Sequence, residues 1–423
     1  MAAAWGLPLN LTTWIIAAVA TLGVILRPFS WPEAIWAALG AVLLVVLGLM
    51  PWQVALEGVA KGTDVYLFLV GMMLLSEIAR KEGLFDWLAA HAVRAARGSA
   101  TRLFLLVYVV GTVVTVFLSN DACAVVLTPA VFAATKAAEV KQPLPYLFVC
   151  AFIANAASFV LPISNPANLV VFAEHMPPLG RWLATFTLPS VLAIVATYVA
   201  LRLTQAGSLE GETVATDIET PRLELGGKVA GAGIVATGAA LIGASAAGID
   251  LGLPTFAAGL ATTLVVLLIN RGGFVEVAKD VSWSVLPLVA GLFVLVEALE
   301  KTGVLGMLAD LLKRAAHGDP AATAWAGGAL VAFGSNLVNN LPAGLLAGAA
   351  VQAAQVPETI AGAILIGVDL GPNLSVTGSL ATILWLTAIR REGEDVSAFA
   401  FLKLGLVVMP PALVLALAAL ILV

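Results

Sequence analysis

The chain has 423 residues, of which 61% are hydrophobic and only 11% charged, and its mean hydropathy is +1.03. A soluble domain carries about 25% charged residues, so this composition excludes a soluble globular protein. The net charge of −5 does not indicate a nucleic-acid partner. No GxxxxGK[ST] phosphate loop occurs, so we expect neither ATP hydrolysis nor any other enzyme activity, and no cofactor or metal.

Apolar stretches long enough to cross a bilayer recur along the whole chain. They predict an all-α, polytopic membrane protein with about ten transmembrane helices. The first stretch continues to Arg27 and lacks a basic leader, so it reads as a spanning helix and not a cleaved signal. The candidate spans are 11–27, 34–50, 64–80, 146–174, 183–202, 228–248, 252–270, 284–300, 358–389 and 400–422.

Two further apolar regions, 100–137 and 321–354, are interrupted by "SNDA" and "GSNLVNNLP". A polar break between short apolar arms favours a re-entrant hairpin whose tip is buried in protein, although two ordinary spans per region would also fit. The spans 146–174 and 358–389 contain proline inside the apolar run, which removes backbone donors. We therefore predict two hairpins and two discontinuous helices.

The distribution of basic residues predicts the orientation. When the segment after the third span is placed in the cytoplasm, 16 of the 21 Lys and Arg residues fall on the cytoplasmic side. The same arrangement puts both termini outside. We expect a multi-pass protein of the inner (plasma) membrane.

The two halves of the chain repeat each other. "GMMLLSEIARKEGLFDWLA" (71–89) matches "GLFVLVEALEKTGVLGMLA" (291–309), and "FLSN" (117–120) matches "FGSN" (333–336). Counting spans places the two hairpin mouths on opposite sides, so we predict inverted repeats. The first repeat is 1–203, the second is 228–423, and the polar, acidic segment 204–227 is expected to be a mobile cytoplasmic linker loop.

Nearly all polar groups expected at membrane depth lie in four breaks, at 119–121, 162–168, 335–342 and 369–379. Half-helix ends in such breaks present free N–H and C=O groups, which predicts a central substrate site. None of the four breaks contains Arg, Lys or His. This inventory suits a neutral hydroxylated solute or a small cation better than an anion.

Asp121 and Asp369 are the carboxylates expected near the midplane. A charge there is costly, so we predict that these acids couple protons to transport. The alternative is that each caps the N-terminus of a half-helix. Glu77 and Glu297 lie near the ends of their spans, where their side chains can reach the interface, and we do not expect them to form a site.

The breaks carry a family resemblance. "LSNDACAVVLTPAV" (118–131), "SNPANLVVF" (164–172), "NLVNNLPAGLL" (336–346) and "DLGPNLSVTGSLATILW" (369–385) resemble the ArsB-type arsenite/antimonite permeases of the ion-transporter superfamily. The resemblance implies proton-driven efflux of trivalent arsenic or antimony across the lipid bilayer, and some members associate with a separate ATPase subunit. Related carboxylate symporters work as elevators and carry Ser-Asn-Thr at both hairpin tips. Here the tips read Ser-Asn-Asp and Ser-Asn-Leu, which argues against a sodium–carboxylate site.

Arsenous acid is mostly uncharged and carries three hydroxyls, so amide and hydroxyl side chains of the breaks are the expected substrate contacts. A sodium/proton antiporter of the same superfamily is the alternative, since paired aspartates would serve it too. A membrane scaffold without transport is a third reading. The candidate contacts are Ser119, Asn120, Asn165, Asn168, Ser335, Asn336, Asn339, Asn340, Asn373 and Thr377.

Overall fold

The computed structural model describes residues 9–172, 176–216, 218 and 220–422. These residues form helices, turns and loops, with one isolated bridge between Ser99 and Thr213. The all-helical fold predicted from the sequence is confirmed. Within these residues each half contributes ten principal helices in the same order, apart from 3-10 turns and the short helix Ala206–Leu209.

The first half contains two apolar helices, a bent pair, a short connecting helix, a hairpin, a broken helix and a long final helix. Its elements are α1 (Leu9–Leu26), α2 (Glu33–Val46), α3 (Trp52–Lys61), α4 (Thr63–Lys81), α5 (Leu84–Ala96), α6 (Ala100–Phe117), α7 (120–137), α8 (Leu144–Ala156), α9 (Pro166–Phe172) and α10 (Leu179–Thr204). The helix α7 includes a π-helical turn at Cys123–Leu127. Hairpin 1 is α6 with α7, and break 1 separates α8 from α9.

The second half repeats that order. Its elements are α11 (Leu225–Ala246), α12 (Gly252–Asn270), α13 (Phe274–Asp280), α14 (Val285–Lys301), α15 (Val304–Gly318), α16 (Pro320–Val338), α17 (Asn340–Ala354), α18 (Glu358–Leu370), α19 (Leu380–Arg391) and α20 (Ala398–Leu422). Hairpin 2 is α16 with α17, and break 2 separates α18 from α19. The bends are repeated too, since α3–α4 bends by 48° and α13–α14 by 50°.

Within the described residues every predicted span contains helix, but the helices differ in length from the predictions, and residues 173–174 of the span 146–174 lie outside the described residues. Among the described residues, six helices are long and apolar enough to cross a membrane, or eight if each bent pair is one span. Three apolar helices are shorter, namely α2, α8 and the part Asn10–Val24 of α1, and each broken helix consists of two short pieces. The short helices α3, α5, α13 and α15 were not predicted, because proline and glycine signals between spans read equally well as loops.

A central helix of each half packs against a helix of the other half. The helix α4 packs along α12 of the other half, and reciprocally α14 packs along α2. Gly71 and Gly291, which align in the sequence repeat, lie at these two contacts. A Cβ on Gly71 would overlap the Thr255 carbonyl, and a Cβ on Gly291 would lie 2.6 Å from the Ala37 carbonyl carbon. The repeated glycine is thus explained by close approach of two backbones.

Gly71→Ala is expected to destabilise the protein by ~1–3 kcal/mol, because the added methyl group must push α4 away from α12. The measurement is the thermal unfolding midpoint of the purified protein. Gly306→Ala on α15 is the matched control, since nothing lies within 4 Å of its Cβ position. Equal midpoints for Gly71→Ala and the wild type would contradict the role of this contact.

The described part of the segment between the halves packs partly against hairpin 1. A short helix, Ala206–Leu209, follows α10. Beyond it, Ala215 N donates to Ala138 O (2.9 Å) at the end of hairpin 1, and Val214 is buried. The apolar side chains of this polar segment therefore hold its first part against hairpin 1.

Candidate functional site

Hairpin 2 meets break 2 through one side chain. The Asn336 amide donates to Ala332 O (2.8 Å) in its own helix and to Gly371 O (3.0 Å) in the break. The Asn336 side-chain oxygen accepts a hydrogen bond from the Ser375 hydroxyl (2.7 Å), and the Asn336 carbonyl accepts one from the Thr377 hydroxyl (3.1 Å). Asn336 therefore fixes the hairpin tip to backbone that leaves the helix at Pro372, where a donor is missing.

The turn of hairpin 2 is strained at Asn339. Its φ of 72° and ψ of 151° lie in a region that is nearly restricted to glycine and costs about 1–3 kcal/mol. The Asn339 amide donates to Thr377 O (3.3 Å), so break 2 holds this residue in place. Asn340 follows at the start of α17 and is buried, while Ser335 donates to Ala332 O (2.9 Å).

Break 1 is organised by Asn168. Its amide donates to Ser158 O (2.8 Å), Leu161 O (3.2 Å) and Pro162 O (3.3 Å), which are carbonyls left free where the helix stops. The Ser164 hydroxyl donates to Val116 O (2.9 Å) and joins break 1 to hairpin 1. Each hairpin is therefore bonded to the break of its own half.

The two breaks also bond to each other. The Asn165 amide donates to Asp369 Oδ1 (2.8 Å), and the Asn155 amide donates to Asn373 Oδ1 (3.0 Å). The Asn373 amide in turn donates to Phe152 O (3.0 Å). All four side chains are buried at 2% exposure or less. The polar groups of both halves thus form one buried cluster.

The tip of hairpin 1 is built differently. The Ser119 hydroxyl accepts from Ala122 N (3.1 Å), and Asn120 Oδ1 accepts from Asp121 N (2.9 Å), so these bonds stay within the hairpin. Asp121 is half-buried. Its counterpart in the repeat, Leu337, is 74% exposed at the tip of hairpin 2. The two tips therefore have different chemistry.

A cavity of about 90 Å³ reaches the tip of hairpin 1. Its lining combines Met and aliphatic side chains of α4 and α7 with a few polar groups. The polar members and the nearby proline of break 1 are Ser76, Glu77, Ser119, Asp121, Asp280, Ser282 and Pro166. The cavity connects Asp121 with the exposed Asp280 carboxylate, which pairs with Lys81 at 3.1 Å.

Glu77 and Glu297 were expected to reach the membrane interface, but both side chains are buried. Glu77 is 8% exposed and pairs with Arg80 at 2.5 and 2.9 Å, while Glu297 is 7% exposed and pairs with Lys61 at 2.5 Å. Arg80 also approaches Asp280 at 3.5 Å. These ion pairs explain the burial, because a buried carboxylate is tolerated when a basic group pairs with it. The repeat of this glutamate at an offset of 220 residues was the signal for a structural role.

The predicted site residues fall into three groups, and no described cavity contains all of them. Sequence reasoning did not select Asn155, Ser158, Ser375 or Thr382, although each bonds within the clusters. The first group is Ser335, Asn336, Asn339, Asn340 and Thr377 at hairpin 2; the second is Asn165, Asn168, Asp369 and Asn373 between the breaks; the third is Ser119, Asn120 and Asp121 at hairpin 1.

A family model described as the citrate transporter CitMHS matches residues 14–368. The chain belongs to the CitMHS citrate transporter family. Its apolar helices and its transporter relatives show that the chain is a multi-pass membrane protein. The chain is 28% identical over 405 residues to the arsenical pump membrane protein of Escherichia coli strain K12, covering 91% of this chain and 92% of that one. This similarity confirms the resemblance to arsenite permeases.

Two solved transporters have the same fold. The Alcanivorax borkumensis YdaH transporter, described as having an unusual topology, aligns over 88% of this chain and 87% of its own, with a TM-score of 0.57 and 16% identity. Neisseria gonorrhoeae MtrF, described with a class of antimetabolite efflux pumps, aligns over 98% and 95%, with a TM-score of 0.53 and 13% identity. At these identities, the comparison concerns the fold alone.

Proposed function

We propose that this member of the family exports arsenite or antimonite from the cytoplasm in exchange for protons. The observation that carries the proposal is the joined pair of breaks, where amides and hydroxyls surround a buried carboxylate without any base. Arsenous acid presents three hydroxyls and no charge at neutral pH. Its O–H groups can donate to amide and carboxylate oxygens, and its oxygens can accept from amide and hydroxyl hydrogens.

The same inventory argues against citrate as the substrate of this chain. A tricarboxylate must be neutralised by basic side chains, by cations or by many backbone donors. The four breaks contain no Arg, Lys or His, and Arg80 beside the cavity is already bonded to Glu77. The printed name of the Escherichia coli relative, an arsenical pump membrane protein, supports the arsenical reading.

The transport step is an elevator movement in this proposal. The moving part consists of the two hairpins with the broken helices, because their hydrogen bonds link tips and breaks into one unit. The stationary part consists of α2, α4, α12 and α14, which pack reciprocally across the halves. A separate ATPase subunit is an optional partner, since the chain has no phosphate loop of its own.

The decisive experiment is arsenite uptake into everted vesicles from cells that express the protein and lack their own arsenite exporters. A proton gradient with an acidic vesicle interior is expected to drive arsenite uptake. A protonophore that collapses this gradient should stop the uptake. Unlabelled antimonite is expected to compete. Transport of sodium without arsenite would instead support the sodium/proton antiporter. Citrate transport driven by the gradient would refute the argument that a site without basic side chains does not bind citrate.

Asn165→Ala is expected to reduce arsenite transport strongly, because the Asp369 carboxylate would lose its 2.8 Å amide partner and the two breaks would lose a link. A buried group left without its partner costs about 1–3 kcal/mol. The control is Asn10→Ala, whose exposed amide lies outside the four breaks and contacts Thr302 O at 3.5 Å. Equal uptake by the Asn165→Ala variant and the wild type would remove this contact from the proposed mechanism.

A further inference from the structure

Three buried side-chain oxygens in the cluster between the breaks have no hydrogen-bond partner among the described residues. They are Asp369 Oδ2, Asn155 Oδ1 and Asn168 Oδ1. All three side chains have 0% exposure. Buried acceptors without donors are rare in folded proteins, and each is destabilising unless a ligand satisfies it.

The amide orientations cannot be reversed to remove this deficit. The Asn168 nitrogen donates to three carbonyl oxygens of break 1, at 2.8 to 3.3 Å. The Asn155 nitrogen donates to Asn373 Oδ1 (3.0 Å) and Thr382 Oγ1 (3.3 Å). Rotation of the Asn168 amide by 180° would place oxygen against oxygen, so its free acceptor is fixed by the fold.

Ser158 shows that the three oxygens belong to one cluster. Its hydroxyl donates to Asn155 O (2.8 Å), and its carbonyl accepts from the Asn168 amide (2.8 Å). The same serine side chain interacts with the Asp369 carboxyl. Asn155, Asn168 and Asp369 therefore surround a single residue at the point where both helices are interrupted.

A set of oxygen acceptors without donors is the chemistry of a cation site. A proton on Asp369 would satisfy one of the three oxygens, whereas a hard cation binds several carbonyl and carboxylate oxygens together. A single carboxylate balances one positive charge, and a divalent ion would leave net charge buried in the protein. The donor set therefore favours a small monovalent ion over Mg²⁺ or Ca²⁺.

We propose that Asp369, Asn155 and Asn168 bind Na⁺ between the two broken helices. The inference rests on the proposed function, in which amides and hydroxyls surround the buried Asp369 carboxylate, and it adds an ion that this carboxylate binds. Na⁺ would also join α8 and α9 of one half to α18 of the other. Occupancy is therefore expected to stabilise the folded protein.

The test is thermal unfolding of the full-length protein in lipid nanodiscs, with NaCl exchanged for choline chloride at constant ionic strength and pH. The wild type is expected to unfold at a higher temperature in Na⁺, with saturation as the Na⁺ concentration rises. Asp369→Asn should abolish this dependence, while Asp121→Asn, at the other acid, should keep it. Direct binding of radioactive ²²Na⁺ provides the second readout.

Asn168→Ser and Asn155→Ser cover the case in which Asp369→Asn fails to fold. Each is expected to raise the half-saturating Na⁺ concentration about tenfold, the factor that corresponds to ~1.4 kcal/mol of lost coordination. No Na⁺ dependence in the wild type, or an unchanged dependence in a folded Asp369→Asn variant, would overturn the site. Arsenite uptake is measured separately: Na⁺ binding without arsenite transport would refute the proposed function alone, and arsenite transport without Na⁺ binding would refute this site alone.

Discussion

Asp121→Asn is expected to reduce proton-driven arsenite uptake to the level of vesicles without the protein, while the variant still reaches the membrane. The substitution keeps the size of the side chain but removes its titratable carboxyl group. Asp121 is half-buried at the hairpin 1 tip and lines the cavity that leads to the exposed Asp280. An acid in this place can receive a proton from water and carry it into a protein interior where ions are otherwise excluded.

The measurement is initial arsenite uptake by everted vesicles as the imposed pH difference is varied, normalised to the amount of protein. Asp280→Asn is the matched control, because this acid lines the same cavity but is half-exposed and paired with Lys81 at 3.1 Å. It should retain uptake and the dependence on the gradient. If Asp121→Asn transports arsenite at the wild-type rate with an unchanged gradient dependence, Asp121 has no part in coupling.

The asymmetry of the two hairpins gives the repeats different tasks in this scheme. Hairpin 1 carries an acid at its tip and bonds mostly within itself, while hairpin 2 carries an exposed leucine at the same position and bonds to break 2. An inverted duplication supplies two equivalent frames, and the side chains then diverge. Ion entry at hairpin 1 and substrate orientation at hairpin 2 would follow from that divergence.

The sequence predicted the breaks because proline, glycine and asparagine affect the backbone locally. Pro162, Pro166 and Pro372 remove donors wherever they occur, so interruptions at these positions could be expected without knowledge of the packing. The repeat of Gly71 at Gly291 could likewise be recognised by alignment alone. Its cause, a backbone contact with the other half, became visible only in the fold.

The partners of the polar side chains could not be predicted. The Asn165–Asp369 bond spans 204 residues, and no local signal selects it among the many asparagines of the breaks. Arg80 lies three residues after Glu77 on the same helix, so their ion pair is a local feature. The burial of Glu77 depends instead on how α4 packs in the fold, which the sequence does not show. Docking of residue Val214 depends on a surface that exists only after hairpin 1 folds.

Asn336→Ala is expected to have the second large effect, with loss of arsenite transport and a lower unfolding midpoint. The alanine cannot replace the bonds to Gly371 O (3.0 Å) and from Ser375 Oγ (2.7 Å), so two polar groups of break 2 would lose their partner. Each unsatisfied group costs about 1–3 kcal/mol where water is excluded. Because these bonds hold the hairpin 2 tip at the break, the substrate contacts there would lose their fixed orientation.

Asn120→Ala is the matched substitution at the same repeat position of hairpin 1. The Asn120 side chain accepts from the neighbouring Asp121 N (2.9 Å) and makes its bond within the tip, so its loss is expected to lower the unfolding midpoint less than the loss of Asn336. The comparison uses thermal unfolding together with the half-saturating arsenite concentration in vesicles. Equal effects of the two variants would contradict the division of tasks between the hairpins, because the fold ties only the second tip to a broken helix through its asparagine.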